Sequence, residues 1–310
     1  MQRLLSLLLL SLVASTAHAL DYHNCGERRT LAQPPQRILA LNQHAADLLL
    51  ALDVTPAAVS YIDDDAGSLL ENRYRGVPLL SRRYPSREVF YAGQFDFVVG
   101  GFASALREGD GIGPRADLAR RGIASYLLEN ACTPQPASGF AAIADDLRSL
   151  GHLLGHDARA EQLIAAQQED LRQARQLAGH RQPVSVFYLD SETRGLESSG
   201  GKGFISELIA AAGGRNILAD LDLHGVTVDP ETLLLKNPDV IILADAVWSR
   251  AAAKRAYLRR HPALSHLRAV RENRMIDLPF THLVAGEHSA RTALEPVSYT
   301  HLRAHETRGN

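Results

Sequence analysis

The sequence predicts an α/β protein of two lobes, each with a mainly parallel sheet, joined by a single long connecting helix. Three observations predict it. Short apolar segments alternate with amphipathic ones from residue 37 to 128, the alternation stops for more than forty residues, and it resumes after Pro183. Buried strands separated by helices are typical of parallel sheets built from βαβ units. Each lobe is therefore expected to be Rossmann-like, with the strand-free stretch between the two.

The first lobe is expected to span residues 20–155. Its apolar runs predict strands at 37–41, 57–61, 97–100 and 124–128 and helices at 44–52 and 115–121. Runs this short, and rich in β-branched or aromatic residues, favour buried strands over helices.

The strand-free stretch predicts two helices, at 137–154 and 157–178, punctuated by Gly151, Gly155 and Asp157. In the second helix the apolar face has helical spacing and consists of Ala160, Leu163, Ile164, Gln167, Leu171 and Ala174. Such periodicity is typical of an amphipathic helix. The connecting helix is therefore placed at 156–180.

The second lobe is expected to span residues 181–295 and to be truncated at its end. Its pattern predicts strands at 184–189, 240–243 and 275–278 and helices at 204–212 and 231–235. Gly213 and Gly214 follow the first of these helices, where glycine commonly ends a helix in the left-handed conformation.

Both ends of the chain carry segments that are excluded from the fold. Arg3, the apolar run 4–13 and the small residues Ala17 and Ala19 predict a signal peptide at 1–19, since the run is too short to span a bilayer. Residues 296–310 include PVSYTHLRAHET, which resembles the in-frame translation of a transposase sequencing adapter. This stretch is interpreted as a scar, with the native chain running on past Glu295.

Composition narrows the classes of function. The net charge is −2 with no basic stripe, so nucleic acid is a poor candidate partner. The only two cysteines are Cys25 and Cys132, and an even pair in an exported protein predicts a disulfide. A zinc pair is the alternative, but the two lack the close spacing of a zinc site.

Four segments carry a resemblance to a known family. They read RILALNQHAADLLLALDV, REVFYAGQFDFVVGGF, GKGFISELIAAAGGRNI and PETLLLKNPDVIIL, and their order around the long helix covers residues 37–295. The chain resembles class III periplasmic binding proteins, the receptors of ABC importers for ferric siderophores, haem and vitamin B12. The resemblance implies a periplasmic, monomeric receptor without a cofactor of its own, which carries a metal chelate containing iron or cobalt to a permease with a cytoplasmic ATPase.

The resemblance also implies two carboxylates, one in each lobe, that dock on the permease. By matching segments these are Glu88 and Glu231. Each precedes an apolar strand and sits at a predicted helix start, where a glutamate also complements the helix dipole. Docking and simple dipole stabilisation both remain open.

Ligands of open α/β sheets bind beyond the carboxyl ends of the strands. Taking the residues that follow each predicted strand, the candidate ligand-binding residues are Gln43, His44, Tyr61, Arg83, Tyr84, Phe102, Tyr188, Lys202, Trp248 and His282. Arg83 and Lys202 suit an anionic chelate, and the aromatic rings suit a large planar or catecholate ligand. Ordinary core packing explains any single one of these rings equally well.

Ferric siderophore is the first ligand expected, with corrinoid and haem next. Three histidines, His44, His224 and His282, together with Asp190 offer the imidazole and carboxylate ligands of a free zinc or manganese receptor, which ranks lower. An enzyme is the weakest hypothesis, because the sequence has no G-x-S-x-G, no H-E-x-x-H and no G-x-G-x-x-G after a strand.

Overall fold

The structure, a computed structural model, describes residues 19–63, 73–133, 139–179, 182–286 and 288–293. The predicted adapter scar, and the predicted signal peptide apart from its last residue, lie outside these residues. No helix in the described part of the chain is long and apolar enough to cross a membrane.

The first lobe is built on five parallel strands. In chain order its elements are β1 (Leu20–Asn24), β2 (Glu27–Leu31), β3 (Ile38–Leu41), α1 (Gln43–Ala51), β4 (Ala58–Ser60), β5 (Leu79–Ser81), α2 (Arg87–Ala92), β6 (Phe97–Gly100), α3 (Arg115–Arg120) and β7 (Ala124–Leu127). The strand order in the parallel sheet is β5-β4-β3-β6-β7. All four predicted strands and both predicted helices are present.

Strands β1 and β2 form an antiparallel hairpin that the sequence does not predict, because its polar residues give no apolar run. The turn places Cys25 and Gly26 at φ 54° and 74°, a conformation that glycine adopts readily and other residues rarely. Cys25 is joined to Cys132 by a disulfide with the two Cα atoms 5.2 Å apart, which confirms the predicted pairing. The bridge fixes the hairpin beside the end of β7.

Two helices follow β7, namely α4 (Gly139–Leu154), which packs on β1 of the first lobe, and α5 (Asp157–Ala178). The second agrees with the predicted helix from end to end. Its buried residues are the predicted apolar face, Ala160, Leu163, Ile164, Gln167, Leu171 and Ala174. Gly155 and Gly179 flank it at φ 76° and 60°, which only glycine adopts at no steric cost.

The second lobe is built on four parallel strands. Its elements are β8 (Val184–Leu189), β9 (Leu196–Ser199), α6 (Phe204–Ala211), β10 (Gly214–Asn216), β11 (Gly225–Val228), α7 (Pro230–Lys236), β12 (Val240–Asp245), α8 (Ala251–Arg260), α9 (Arg268–Arg271), β13 (Met275–Pro279), α10 (Phe280–Leu283) and α11 (Ser289–Thr292). The parallel order is β10-β8-β12-β13, and β9 pairs antiparallel with β11 outside this sheet. The fold is the predicted mainly parallel α/β class.

One hydrophobic core extends through both lobes. It includes Val59 of the first sheet, Leu147 of α4, Leu171 of α5 and Ile242 of the second sheet. A second cluster fills the other face of the second sheet, and a third fills the other face of the first. The connecting helices are thus part of the core and not a free linker.

After β13 the chain returns to the first lobe. Helix α11 packs on α5, and Gly286 lies against the Cβ of His44 in α1. His288 Nε2 lies 3.9 Å from Asp47 Oδ2, also in α1. The described C-terminal segment therefore contributes to the junction of the lobes.

Candidate functional site

Asn42 joins the carboxyl ends of β3 and β6, where the candidate site begins. It is fully buried, with φ 88°, and its side-chain oxygen accepts hydrogen bonds from the N–H groups of Gly101 and Phe102, both at 3.3 Å. Its side-chain N–H also donates a hydrogen bond of 3.1 Å to the hydroxyl of Tyr84. These bonds offset the cost of an uncommon backbone conformation and set the position of Phe102.

His44, in the first turn of α1, lies under Phe102. Its ring is 4.6 Å from the Phe102 ring between centroids, and its side chain is only 3% exposed. Burial lowers the pKa of His44 to about 4. A hydrogen bond with the Gly101 backbone raises the pKa, but by less than burial lowers it. The imidazole is therefore neutral near pH 7.

A cavity of about 280 Å³ opens between the lobes at this point. The first lobe contributes His44, Phe102 and Asn130 to its wall, and the second contributes Tyr188, Asp190 and Phe280. Three of the predicted ligand-binding residues, His44, Phe102 and Tyr188, thus meet in one place. Strand ends from two facing sheets bring them together, as the rule for open α/β sheets requires.

A row of aromatic rings crosses from one lobe to the other. Trp248 packs edge-on against Phe280 with ring centroids 4.7 Å apart, and Phe280 lies 6.4 Å from Phe102, which in turn packs on His44. Trp248 is 42% exposed, so the row runs from solvent into the cavity. Such rings offer a flat apolar surface to a ligand.

Tyr61 and Tyr84 form a second aromatic pair in the first lobe, with ring centroids 4.7 Å apart. The Tyr84 hydroxyl lies 2.9 Å from Ser104 Oγ in addition to its contact with Asn42. Both tyrosines were predicted to bind ligand. They lie at the carboxyl ends of the strands but do not line the cavity.

Asp190 follows β8 and is the carboxylate of the cavity wall. The Tyr188 hydroxyl donates a hydrogen bond of 2.7 Å to its Oδ1. Burial raises the pKa of Asp190, while the Tyr188 hydrogen bond and the charge of Lys254 oppose that shift. Burial outweighs these two partners, so the pKa of Asp190 lies above its ordinary value.

Lys254, in α8, is a fully buried lysine behind the cleft. Its ammonium group donates to the carbonyl oxygens of Ala244 at 2.7 Å and Ser249 at 2.6 Å. These two carbonyls bracket the loop that carries Trp248. Buried charge is costly unless it is hydrogen-bonded, so Lys254 acts to fix this loop.

The two cations predicted to neutralise an anionic ligand lie elsewhere. Arg83 is exposed. Lys202 is exposed and its ammonium group lies 2.9 Å from the Asp222 carboxylate. Neither lines the cavity.

Gln43 and His282 are also outside the cavity wall. Gln43 is 2% exposed, and its Oε1 accepts the N–H of Asp63 at 3.0 Å, a role inside the first lobe. His282 lies 6.0 Å from His288 between ring centroids. Burial, with a smaller contribution from His288, lowers the pKa of His282 to about 4.

Glu88 and Glu231 occupy equivalent positions in the two lobes. Each is the second residue of its helix, after Ser86 and Asp229 as N-caps that accept the N–H of Val89 and of Thr232. Both glutamates are exposed. Because α2 and α7 each precede a parallel strand, their first turns lie at the carboxyl edge of the sheets, where the cleft opens.

Sequence reasoning missed some residues of the site. Lys254 sits in AAAKRAYLRR, which reads as a solvated helix, so the sequence does not mark this lysine as buried. Gly101 gave no signal. A Cβ there would lie 2.4 Å from the His44 ring, so only glycine leaves room for it. Asp190 was expected at the cleft as a strand-end residue and as a metal ligand.

Just over half of the chain matches a known family. Residues 117–281 match a sequence model described as periplasmic binding protein. An uncharacterized ABC transporter substrate-binding lipoprotein, YvrC of Bacillus subtilis (strain 168), is 25% identical over 149 residues, which are 47% of this chain and 45% of the relative. The match thus spans less than half of that relative's length.

Solved structures share the fold over most of the chain. A periplasmic binding protein from Veillonella parvula DSM 2008 has a TM-score of 0.77 at 20% identity, with 90% of this chain and 96% of that chain covered. An ABC-type Fe3+-hydroxamate transport system from Saccharomonospora viridis DSM 43017 has a TM-score of 0.76 at 24% identity, covering 94% and 99%. The haem-binding protein RhuT from Roseiflexus sp. RS-1 has 0.67 at 23%, covering 84% and 96%.

These structures confirm the two-lobed α/β fold, and the matched family is one of binding proteins and not of enzymes. Since the family model covers more than half of the sequence, the resemblance drawn from the residues is confirmed at the level of the family, and the chain belongs to the periplasmic binding protein family.

Proposed function

We propose that this chain is the substrate-binding component of an ABC importer and that it captures a metal chelate between its lobes. A ferric siderophore is the first candidate. The observation that carries the proposal is the cavity shared by two lobes, with His44 and Phe102 on one side and Tyr188 and Phe280 on the other. Enclosure by two facing surfaces removes a ligand from water, which is how binding proteins gain affinity without chemistry.

The cavity sets limits on how the ligand sits. Its volume of about 280 Å³ is near the lower end of the usual ~300–1,000 Å³ for small-molecule pockets. A large chelate placed here extends past the cavity along the row of rings that ends at Trp248. The 42% exposure of the Trp248 ring supports this placement.

The partner is a permease with a cytoplasmic ATPase, and the compartment is the periplasm. Glu88 and Glu231 support this, since they present one carboxylate from each lobe at the same edge of the molecule. The class of binding proteins to which the chain belongs also supports it. The receptor acts as a monomer.

A corrinoid or haem is the second candidate. The aromatic row from Trp248 through Phe280 to Phe102 favours it, because such a surface suits a planar macrocycle. For a free metal ion there is no comparable support, since no three His, Cys, Asp or Glu side chains in the described ranges are grouped to hold one.

The test uses the only tryptophan of the chain, Trp248. The purified mature protein is titrated with ferric siderophores, haemin, cyanocobalamin and zinc while its fluorescence and thermal unfolding are recorded. One chelate is expected to quench Trp248 and raise the unfolding temperature by mass action. Trp248→Phe is the control, which should lose the fluorescence change and keep a thermal shift. If folded wild-type protein shows neither a fluorescence change nor a thermal shift with any chelate, the proposal is wrong.

A further inference from the structure

The charge of the cavity wall points to a class of ligand. Among its described lining residues the wall has one acidic side chain, Asp190, and no lysine or arginine. Of its other polar groups, Asn130 and Ser198 carry no charge, and burial keeps the His44 imidazole neutral near pH 7. The site is therefore not built as an anion site.

Nearby cations do not change this balance. The ammonium group of Lys254 is fully buried and already donates to two backbone carbonyls, so it faces the loop and not the cavity. Lys202 is paired with Asp222 and is exposed. The internal residues outside the described ranges, namely 64–72, 134–138, 180–181 and 287, add a single cation to the sequence, Arg181.

Asp190 is oriented to receive a donor. Tyr188 fixes one carboxylate oxygen, Oδ1, at 2.7 Å, and the second oxygen, Oδ2, has no hydrogen-bond partner in the described part of the chain. The backbone N–H of Asp190 donates to Glu197 at 2.8 Å, which fixes the main chain as well. A carboxylate fixed in this way offers its free oxygen to an N–H or ammonium group of a ligand.

We propose that the cleft selects a metal chelate that carries no net negative charge and presents an N–H or ammonium donor to Asp190. This inference rests on the proposed function as a receptor for metal chelates, and it names the class of chelate. The aromatic row accepts the apolar part of the ligand, and Asp190 accepts its donor. A polyanionic chelate is rejected, because its charge would face the Asp190 carboxylate with no lysine or arginine among the described lining residues.

The first experiment needs no variant. The wild-type protein is titrated with ferric chelates of different charge: cationic ferrioxamine B, neutral ferrichrome, trianionic ferric enterobactin and dianionic haemin, with neutral cyanocobalamin alongside. The highest affinity is expected for one of the cationic or neutral chelates, at least about tenfold higher than for either anionic chelate. Loss of one charge-assisted hydrogen bond produces a ratio of this size.

The second experiment assigns the selection to Asp190. Asp190→Asn keeps the shape of the side chain and removes its charge. This variant is expected to bind ferrioxamine B about tenfold or more weakly than wild type. Its affinity for ferrichrome should change by less than about threefold. Asp220→Asn is the matched control, since Asp220 is an exposed acid of the same lobe outside the cavity, and it should leave every affinity unchanged.

The outcomes separate the inference from the proposed function. Tightest binding of an anionic chelate, or an equal loss of cationic and neutral ligands in Asp190→Asn, overturns the inference and leaves a chelate receptor standing. Absence of binding to every chelate, by wild-type protein that unfolds cooperatively, overturns the proposed function and the inference with it.

Discussion

The backbone N–H of Val247, in the second lobe, donates a hydrogen bond of 3.0 Å to the carbonyl oxygen of Asp63 in the first. A second link joins the lobes behind the cleft, where the Glu207 carboxylate of α6 accepts the N–H of Gly139 at 2.7 Å and caps the start of α4. Between these links the core is continuous from one sheet to the other. The lobes are therefore connected at both sides of the cavity.

From these links we expect only a small movement of the lobes when ligand binds. Small-angle scattering of the mature protein, with and without a saturating chelate, measures it. A compact chain of this size has a radius of gyration of about 19 Å, and a decrease of more than about 1 Å on binding would contradict the prediction. The comparison is made at one protein concentration, so that association does not mimic a change in shape.

Removing the disulfide is expected to destabilise the first lobe. Cys25 and Cys132 are 107 residues apart in sequence, and on the chain-entropy model a loop of this length contributes up to about 4–5 kcal/mol to the free energy of unfolding. The variant is Cys25→Ser with Cys132→Ser, measured by urea denaturation. Equal midpoints for the variant and the oxidised wild type would show that the bridge adds no stability. Wild type in reductant is the matched control.

His44 is expected to make stability fall in mild acid. Burial lowers its pKa in the folded state to about 4, from an ordinary value of 6.5, so the unfolded chain takes up a proton between these pH values and the folded one does not. The stability that comes from keeping His44 neutral is fully present above pH 6.5. As the pH falls towards 4, protonation of His44 in the unfolded chain lowers the free energy of unfolding by up to about 3 kcal/mol.

Urea denaturation of wild type and His44→Gln at pH 7.5, 5.5 and 4.5 checks this. The difference in free energy of unfolding between the two proteins should narrow as the pH falls, because only wild type has the imidazole to protonate. A difference that stays constant across this range contradicts the pKa assigned to His44. Other groups that titrate are present in both proteins and cancel in the difference.

The long helices and the central parallel strands were predictable from the sequence, because burial on both faces leaves a strong apolar signal. The short edge strands β5 and β10 were not predicted, since neither has a long apolar run. Helix α5 agrees at both ends, where Gly155 and Gly179 interrupt the pattern. Strands β1 and β9 were not predicted. Each pairs antiparallel outside the two main sheets, and neither has the apolar run on which the strand prediction rests.

The site was predictable in position but not in charge. The ends of β3, β6 and β8 led to His44, Phe102 and Tyr188, because topology fixes where strand ends meet. The alternation of apolar and polar residues does not predict which way a long side chain points. Lys202 forms an ion pair with Asp222. Lys254 lies in a helix that reads as solvated, yet its ammonium group is buried and donates to two carbonyl oxygens.

Glu88 and Glu231 are predicted to act in transport and not in ligand binding. Glu88→Arg combined with Glu231→Arg should abolish uptake in cells and leave the affinity of the purified protein unchanged, since both residues are exposed helix-start positions outside the cavity. Normal uptake would refute the docking role. Glu272→Arg is the matched control, because Glu272 is an exposed glutamate just before β13, at the amino edge of the second sheet.

Gly101→Ala is expected to disturb the cavity wall from inside. The added Cβ would lie 2.4 Å from Cε1 and Nε2 of His44, so the imidazole and the Phe102 ring packed on it must shift. Overpacking of this kind costs about 1–3 kcal/mol of stability, and it should also weaken chelate binding by altering the aromatic row. Gly225→Ala is the matched control, since its nearest neighbour is 4.0 Å away. If both variants unfold at the same urea concentration as wild type and bind equally well, the close contact between Gly101 and His44 does not shape the site.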